Sequence, residues 1–329
     1  MGLNRVIAGT VKLLAMLLAV LTWGPAAADV PVVRVGDQQQ ATQDKTGGST
    51  AATAMTNSAI VAEHVAALIA RARGHRAKGD NDRAREDSSE AIRLDPKSVD
   101  ALLVRADALI SAKQFDKAID DYDAAIRIDP GNARLFSLRA AAFASMHEPR
   151  LAVRDYTESV RLNPSDMQTY IDRAAIFKKI RRFDLAIDDL TEAIRRDPVA
   201  DLYDSRGQAY AHNNAYDRAI ADYNEAIRLR PAAAFYLNRG TAFQLKGELD
   251  PAMADYNKAI ELDSKLALAY SNRGMVLRAQ GHRPRALADF TTAVRLDPNL
   301  DAAVAHRKDL AREIERIGAQ MPLKEPAKR

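Results

Sequence analysis

The chain of 329 residues contains no cysteine, which excludes disulfides, thiolate nucleophiles and cysteine-ligated zinc. Aromatic residues make up only 6% of it, a composition that fits a helical protein better than a β-sandwich or a β-barrel. The histidines show no metal-ligand spacing; they are His64, His75, His147, His212, His282 and His306. The sequence therefore predicts neither a metal site nor a cofactor.

The N-terminal apolar run is too short to cross a membrane. It covers residues 13–23, whereas a membrane-spanning helix needs about 20 residues. Arg5 and Lys12 precede the run, and an Ala-x-Ala pattern ending at Ala28 follows it, as in a secretory signal. The sequence predicts cleavage of residues 1–28 and export, with the periplasm as the expected location. The alternatives are secretion, or an uncleaved anchor that leaves the rest facing the periplasm; contact with a membrane is expected only with that anchor.

Charge and composition indicate little about nucleic acid. The formal net charge is +4, and removal of the two basic residues Arg5 and Lys12 would lower it to +2. We therefore expect no nucleic-acid partner, despite the basic isoelectric point of about 9.1. Residues 29–60 are polar, rich in Gln, Thr, Gly and Ser, and lack periodicity, which predicts a flexible linker.

One sequence unit recurs along most of the chain. "QFDKAIDDYDAAIRIDP" (114–130) returns as "RFDLAIDDLTEAIRRDP" (182–198) and "AYDRAIADYNEAIRLRP" (215–231). Aligned on the Ala that begins "AI" or "AL", the copies are 33 or 34 residues apart. A period of this length is typical of a repeat architecture. The predicted units are 65–98, 99–132, 133–166, 167–199, 200–232, 233–266 and 267–300.

Equivalent positions of the units have fixed sizes. One row is always small, the row that begins with Ala84 is always Ala, and the rows that begin with His75 and Ser88 are mostly large. The small row is Ala72, Ala106, Ala140, Ala174, Gly207, Gly240 and Gly274. A large row is Ser88, Tyr122, Tyr156, Leu190, Tyr223, Tyr256 and Phe290. Gly-containing turns split the units, and Pro ends most of them, so each unit is predicted to be a pair of helices with large residues packed over small ones.

The spacing and the small, aromatic and Pro rows resemble the tetratricopeptide repeat (TPR) over residues 65–300. The resemblance implies an all-α fold, a right-handed superhelical solenoid of antiparallel helix pairs. The first unit departs from the pattern at His75 and Ser88, as an atypical terminal repeat would. After the last unit, 301–317 carries one apolar stripe and is predicted to be a capping helix, followed by a frayed tail at 318–329.

Arg and Asp each occupy one position in all seven units, sixteen residues apart. In an antiparallel hairpin these positions face each other, which predicts an ion pair within the unit; a pair with the Arg of the following unit is the alternative. A stripe of Arg that binds phosphates is less favoured because each Arg has an acid within reach. The pairs are Arg71–Asp87, Arg105–Asp121, Arg139–Asp155, Arg173–Asp189, Arg206–Asp222, Arg239–Asp255 and Arg273–Asp289.

Other positions of the first helices vary from unit to unit and share one face. The resemblance implies that this face lines a concave groove in which a peptide would dock, although a plain solvated surface is the simpler interpretation of any single residue. The peptide-binding residues predicted there are Arg73, Asp107, Arg134, Gln168, Lys178, Asp204, Gln208, Gln244 and Arg278.

A basic stretch, "KKIRR" (178–182), ends one first helix. The favoured interpretation is charge that complements the helix C-terminus, and the alternative is a site for an acidic peptide or a lipid headgroup. The family's carboxylate clamp is matched only in part, by Asn238 and Asn272.

No catalytic constellation is recognisable, and we expect no enzyme activity. The sequence predicts a protein–protein interaction scaffold of the cell envelope, whose partner is a protein or peptide that the sequence does not identify. An exported small-ligand or lipid-binding accessory protein, and an enzyme with an unrecognised site, are the alternatives.

Overall fold

The structure, a computed structural model, describes residues 49–320. The predicted signal segment 1–28, part of the predicted linker (29–48) and residues 321–329 lie outside this range. Within it there are fifteen helices and no strand. The helices are α1 Ser49–Ala77, α2 Asn81–Leu94, α3 Val99–Ser111, α4 Phe115–Ile128, α5 Ala133–Ser145, α6 Pro149–Leu162, α7 Met167–Lys179, α8 Phe183–Arg196, α9 Ala200–His212, α10 Tyr216–Leu229, α11 Ala233–Lys246, α12 Leu249–Leu262, α13 Ala267–Ala279, α14 Arg283–Leu296 and α15 Asp301–Gln320.

The helices form seven consecutive pairs, α1–α2 to α13–α14, and α15 packs against the last. Each odd-numbered helix is the first helix of a repeat and each even-numbered helix the second. From repeat 2 onward, the first helix begins at the first residue of the predicted unit (Val99, Ala133, Met167, Ala200, Ala233 and Ala267).

The start of α1 differs from the predicted linker at 29–60. The helix begins at Ser49, and Ile60 and Val61 within it are 63% and 41% exposed. The linker prediction rested on the lack of periodicity, but residues 49–62 contain no Gly or Pro and are rich in Ala, which propagates a helix well. At the other end, α15 extends to Gln320, three residues into the predicted tail.

Each repeat turns between its helices through one residue with a left-handed backbone. In four repeats this residue is Gly or Asn, as turns of this kind favour; these are Gly79, Asn214, Gly247 and Gly281. In repeats 2, 3 and 4 it is instead Lys113, His147 and Arg181, with φ of 58°, 63° and 63°. For residues with a side chain this conformation costs roughly 1–2 kcal/mol.

The small and large rows meet between the two helices of a repeat. A β-carbon placed on Gly207 would lie 2.7 Å from Cε1 of Tyr223, and one on Gly274 would lie 2.8 Å from Cε1 of Phe290. Tyr223 and Phe290 are almost completely buried. The absence of a side chain in the first helix therefore lets an aromatic ring from the second helix pack directly on its backbone.

Arg and Asp pair within every repeat. In all seven, Nε and Nη2 of the Arg donate to the two carboxylate oxygens of the Asp sixteen residues later, over 2.6–3.0 Å. The seven Asp side chains are buried, and a bidentate guanidinium satisfies both of their oxygens. The hydrogen bonds that Arg206 donates to Asp222 raise the pKa of Arg206.

The same arginines also connect successive repeats. From repeat 2 onward, Nη1 of each Arg reaches a polar side chain on the second helix of the preceding repeat, over 2.5–3.4 Å. The acceptors are Ser89, Asp123, Thr157, Thr191, Asn224 and Asn257. Each Arg thus joins three helices, and this Arg–Asp ladder is a structural element rather than a row of unoccupied cations.

Helix α15 occupies the place of the first helix of an eighth repeat. Ala303 and Leu310 are completely buried, like Ala269 and Val276 at the equivalent positions of repeat 7. Glu313 accepts hydrogen bonds from Arg278 and Arg283, which fix the helix to the last repeat. At the position that is Gly or Ala in every repeat, α15 carries an exposed Lys, Lys308.

Candidate binding surface on the first helices

The first helices lie on the inner side of the stack. First helices of successive repeats contact one another more extensively than second helices do, as between α1 and α3, α5 and α7, α9 and α11, and α11 and α13. A stack that is closer-packed along one side curves toward that side. The concave face therefore belongs to the first helices, and all nine predicted peptide-binding residues lie on these helices.

A chain of polar contacts joins three repeats at the centre of this face. The Lys178 ammonium donates to Ser205 Oγ (2.9 Å) and to Gln208 Oε1 (3.2 Å). Gln208 Nε2 donates to Asp204 Oδ2 (2.7 Å), and Asn238 Nδ2 donates to Asp204 Oδ1 (2.8 Å). The Gln amide thus stands between an ammonium and a carboxylate. We call Lys178, Asp204, Ser205, Gln208 and Asn238 the central cluster.

Burial changes the proton affinity of both charged members of the central cluster. It raises the pKa of Asp204 to about 6, although the hydrogen bond from Asn238 and the charge of Lys178 oppose the shift. Burial also lowers the pKa of Lys178, and the charge of Asp204 opposes this. Both groups are held in a partly water-excluded site, where contacts to a ligand are stronger than at the open surface.

A second group lies at the N-terminal end of the face. Asp107 accepts hydrogen bonds from Arg76 (2.7 Å) and from the Tyr122 hydroxyl (3.4 Å). Burial raises the pKa of Asp107, while the charges of Arg76 and Arg134 oppose the shift. Arg73 forms an exposed ion pair with Asp100 (3.0 Å).

The remaining predicted residues bind their own neighbours. Gln168 donates to Asp172 (2.8 Å), whose pKa is raised mainly by burial. Gln244 accepts from the Tyr256 hydroxyl (2.6 Å), and Arg278 binds Glu313 of α15 (2.8 Å). The structure therefore brings Lys178, Asp204 and Gln208 together, while the other predicted residues lie apart along the face.

Between the two polar groups, the first helices of repeats 3 and 4 present apolar residues, most of them Ala. Ala141 and Ala175 are exposed, and Ala144 and Leu138 are half-buried. Small residues leave the helix backbone accessible there, so this stretch offers room for an apolar side chain from outside.

Sequence reasoning did not assign Ser205 and Asn238 to this site, and considered Asn238 only for a carboxylate clamp. Both belong to the row that immediately precedes the ladder Arg. That row is apolar in repeats 1–3 (Ala70, Val104, Leu138) and polar in repeats 4–7 (Asp172, Ser205, Asn238, Asn272). This change from apolar to polar residues along the row was a signal in the sequence that pointed to Ser205 and Asn238 as site residues.

Residues 49–320 offer neither a metal site nor a helix that could span a membrane. No group of three or more His, Asp or Glu there is arranged to hold a metal ion. None of the helices in this part of the chain combines the length and the apolar character needed to cross a membrane.

Models of the tetratricopeptide repeat match most of the repeat region. One matches residues 69–133 and 171–234, a second matches 240–281 and a third matches 267–300. No curated protein matches the chain.

Solved structures with the same architecture include a tetratricopeptide repeat protein from Parabacteroides merdae. It is 20% identical, with a TM-score of 0.54, over 76% of this chain and 99% of that one. The C-terminal part of a TPR repeat-containing protein from Cytophaga hutchinsonii is 19% identical, with a TM-score of 0.61, over 72% of this chain and 98% of that one. At these identities the likeness concerns the fold alone. The helix pairs, the matched repeat models and these neighbours together identify the chain as a member of the tetratricopeptide repeat family, whose fold generally serves as a non-catalytic scaffold for protein or peptide partners.

Proposed function

We propose that this protein is an exported, non-catalytic scaffold of the cell envelope that binds a peptide or protein segment on the concave face of its repeats. The observation that carries the proposal is the central cluster. The cluster supplies an ammonium, a carboxylate, a hydroxyl and two amides. These polar groups lie at positions that vary from repeat to repeat, whereas the residues that pack the helices together recur in each repeat. A fixed frame with variable polar groups is suited to selecting one partner.

Export rests on the N-terminal sequence. A basic start, an apolar run and an Ala-x-Ala pattern support cleavage after Ala28 and a periplasmic location. N-terminal sequencing of the protein recovered from a periplasmic extract should begin at Asp29. The same material should lack tryptophan fluorescence, because Trp23 is the only Trp. Recovery of an intact N-terminus in the membrane fraction would support the anchored alternative, and recovery in the cytoplasm would contradict export.

The binding surface can be tested by crosslinking in intact cells. The full chain serves as bait beside a variant with Arg134, Lys178 and Gln208 changed to Ala. We expect the variant to lose the crosslinked partners, because two of the three changed residues belong to the central cluster.

A matched control changes three Arg residues of second helices, Arg93, Arg161 and Arg195, to Ala. Each is about two-thirds exposed and paired with the Glu three residues before it, so their removal changes charge without touching the concave face. The control should retain the partners. Equal capture by both variants would contradict the concave face as the binding surface.

A further inference from the structure

The edge of the solenoid where first helices turn into second helices is not uniform in charge. In repeats 2–4 this edge comprises residues 111–117, 145–151 and 179–185, with six Lys or Arg and three Asp or Glu. The equivalent residues of repeats 5–7 (212–218, 245–251 and 279–285) have four Lys or Arg and three Asp or Glu. Of these two halves of the edge, repeats 2–4 therefore carry the larger net positive charge.

Three of the residues in the charged half have a backbone that their side chains disfavour. Lys113, His147 and Arg181 occupy the same turn position in consecutive repeats, all three with positive φ and all three exposed. The other four repeats place Gly or Asn there, which adopt this conformation readily. Strained conformations retained by exposed residues occur often at functional positions.

Acidic partners are scarce for these side chains. Lys179 Nζ donates to His147 Nδ1 over 3.2 Å, so the partner of this ammonium is an imidazole rather than a carboxylate. The Arg181 guanidinium lies 5.7 Å from the centre of the Phe183 ring, which itself stacks on His212. In this half of the edge only Arg182 has an ion pair, with Asp184. On the other half, Lys246 is bound by both Asp217 and Glu248.

The neighbouring histidine responds to this excess of positive charge. Burial lowers the pKa of His212, and the charges of Lys178 and Arg181 lower it further. Burial is the larger cause, and only the contribution of Lys178 and Arg181 reflects positive charge beside His212, which would attract an anion.

From these observations we infer that the turn edge of repeats 2–4 binds an acidic, extended segment of a partner protein. We call Lys113, His147, Lys179 and Arg181 the basic row. The inference rests on the proposed function and deepens it, because the basic row adjoins the concave face. Lys179 directly follows Lys178 of the central cluster, so a bound segment could pass from one surface to the other.

An acidic protein segment fits the basic row better than an anionic membrane does. Surfaces that bind membranes combine basic residues with several exposed Trp, Phe or Leu side chains. In the three turns Ile180, at 39%, is the only large apolar residue that is substantially exposed. Lys178, next to the row, is half-buried and directed to Ser205 and Gln208, where a bilayer surface could not reach it.

The test measures binding of the full chain to a fluorescent peptide of alternating Glu and Ser. About twelve residues suffice to span three repeats, at ~3.3 Å per extended residue. The turn variant carries Lys113→Gly, Lys179→Gln and Arg181→Gly. We expect its affinity for the peptide to be about tenfold lower at low ionic strength, with a smaller difference at high salt. Its melting temperature should be at least that of the parent, because Gly relieves the left-handed backbone at two positions.

A matched control removes three cations from the same edge in repeats 5–7, with Arg218, Lys246 and Arg285 changed to Gln. The control should bind the peptide as the parent does. In a gain-of-function variant, Asn214→Arg extends the basic row into repeat 5 and should tighten binding several-fold. Unchanged affinity in the turn variant, or an equal loss in the control, would overturn the inference.

A second experiment measures binding of the full chain to vesicles of phosphatidylglycerol and phosphatidylcholine. Tighter binding to these vesicles than to the peptide would overturn the inference in favour of a membrane. The two proposals can fail separately. Loss of crosslinked partners in the concave-face variant, with unchanged peptide binding in the turn variant, would leave the proposed function standing and remove only the basic row.

Discussion

The Arg–Asp ladder and the concave face share the first helices of the repeats, but the ladder also includes an Asp from each second helix. The ladder repeats the same two residues seven times, and each Asp is buried under a bidentate Arg. The concave face changes its residues at every repeat, and its polar contacts cross between repeats with a different geometry each time. The invariant positions therefore stabilise the fold, and the variable positions remain available for recognition.

The largest effect should come from breaking the ladder in the interior. Arg239→Met would leave Asp255 buried, with a side chain only 6% exposed and no countercharge. We expect a loss of about 3 kcal/mol in the free energy of unfolding. Chemical denaturation checks this, and the double variant Arg239→Met, Asp255→Leu should recover much of the loss. A stable single variant would show that the ladder does not hold the repeats.

Overfilling the contact between the helices should have the next largest effect. Gly207→Val would force side-chain atoms into Tyr223, because the β-carbon alone lies 2.7 Å from its ring. The expected loss of stability is about 2 kcal/mol. Gly74→Ala is the matched control, because its β-carbon would meet no atom within 4 Å. It should stabilise the protein by up to about 1 kcal/mol. A tolerated Val at 207 would contradict the close packing.

Asp204 on the concave face should make a smaller, pH-dependent contribution to the free energy of unfolding. The pKa of Asp204 is about 6 in the folded protein, above its ordinary value, so the folded state binds the proton more tightly than the unfolded state. This contribution makes the folded state more stable as the pH falls from 7 to 5. Asp204→Asn should remove this pH dependence, because Asn does not titrate. At pH 7 the variant should be more stable than the parent by on the order of 1–2 kcal/mol, and this difference should be smaller at pH 5. Parallel denaturation curves of parent and variant test this. A constant difference would contradict the raised pKa.

The smallest effect should be at the first rung of the ladder. Arg71 pairs with Asp87 like its equivalents, but within residues 49–320 no second helix precedes its repeat, and its side chain is 61% exposed. We expect Arg71→Met to cost less than about 1 kcal/mol, because the exposed guanidinium is already solvated and the Asp87 side chain, at 12% exposed, is the most accessible of the seven Asp side chains. Comparison with Arg239→Met then shows whether the loss of stability depends on the burial of the pair or only on the identity of its residues. Equal losses at the two positions would contradict this account of the ladder.

The sequence predicts the fold and the ladder well because both are repeated signals. The period fixes the helix pairs, and the position of the turn fixes which Arg faces which Asp, as in Arg206 and Asp222. The central cluster was not predictable in the same way. Lys178 and Gln208 are thirty residues apart in different repeats, and their contact depends on how the repeats stack. The turns of repeats 2–4 were also missed, since Lys113, His147 and Arg181 do not have the Gly that marks such turns.

The last helix limits how this protein can change in length. A further second helix would place a large side chain over the small position of α15, where Lys308 stands. Duplication of an interior unit of 33 or 34 residues would repeat the Arg–Asp ladder and the contact between small and large residues, whereas growth beyond α15 would first require that lysine to be replaced. The array of repeats can therefore lengthen more easily by duplication of an interior unit than by addition of a helix after α15. New binding positions would then be inserted between existing ones.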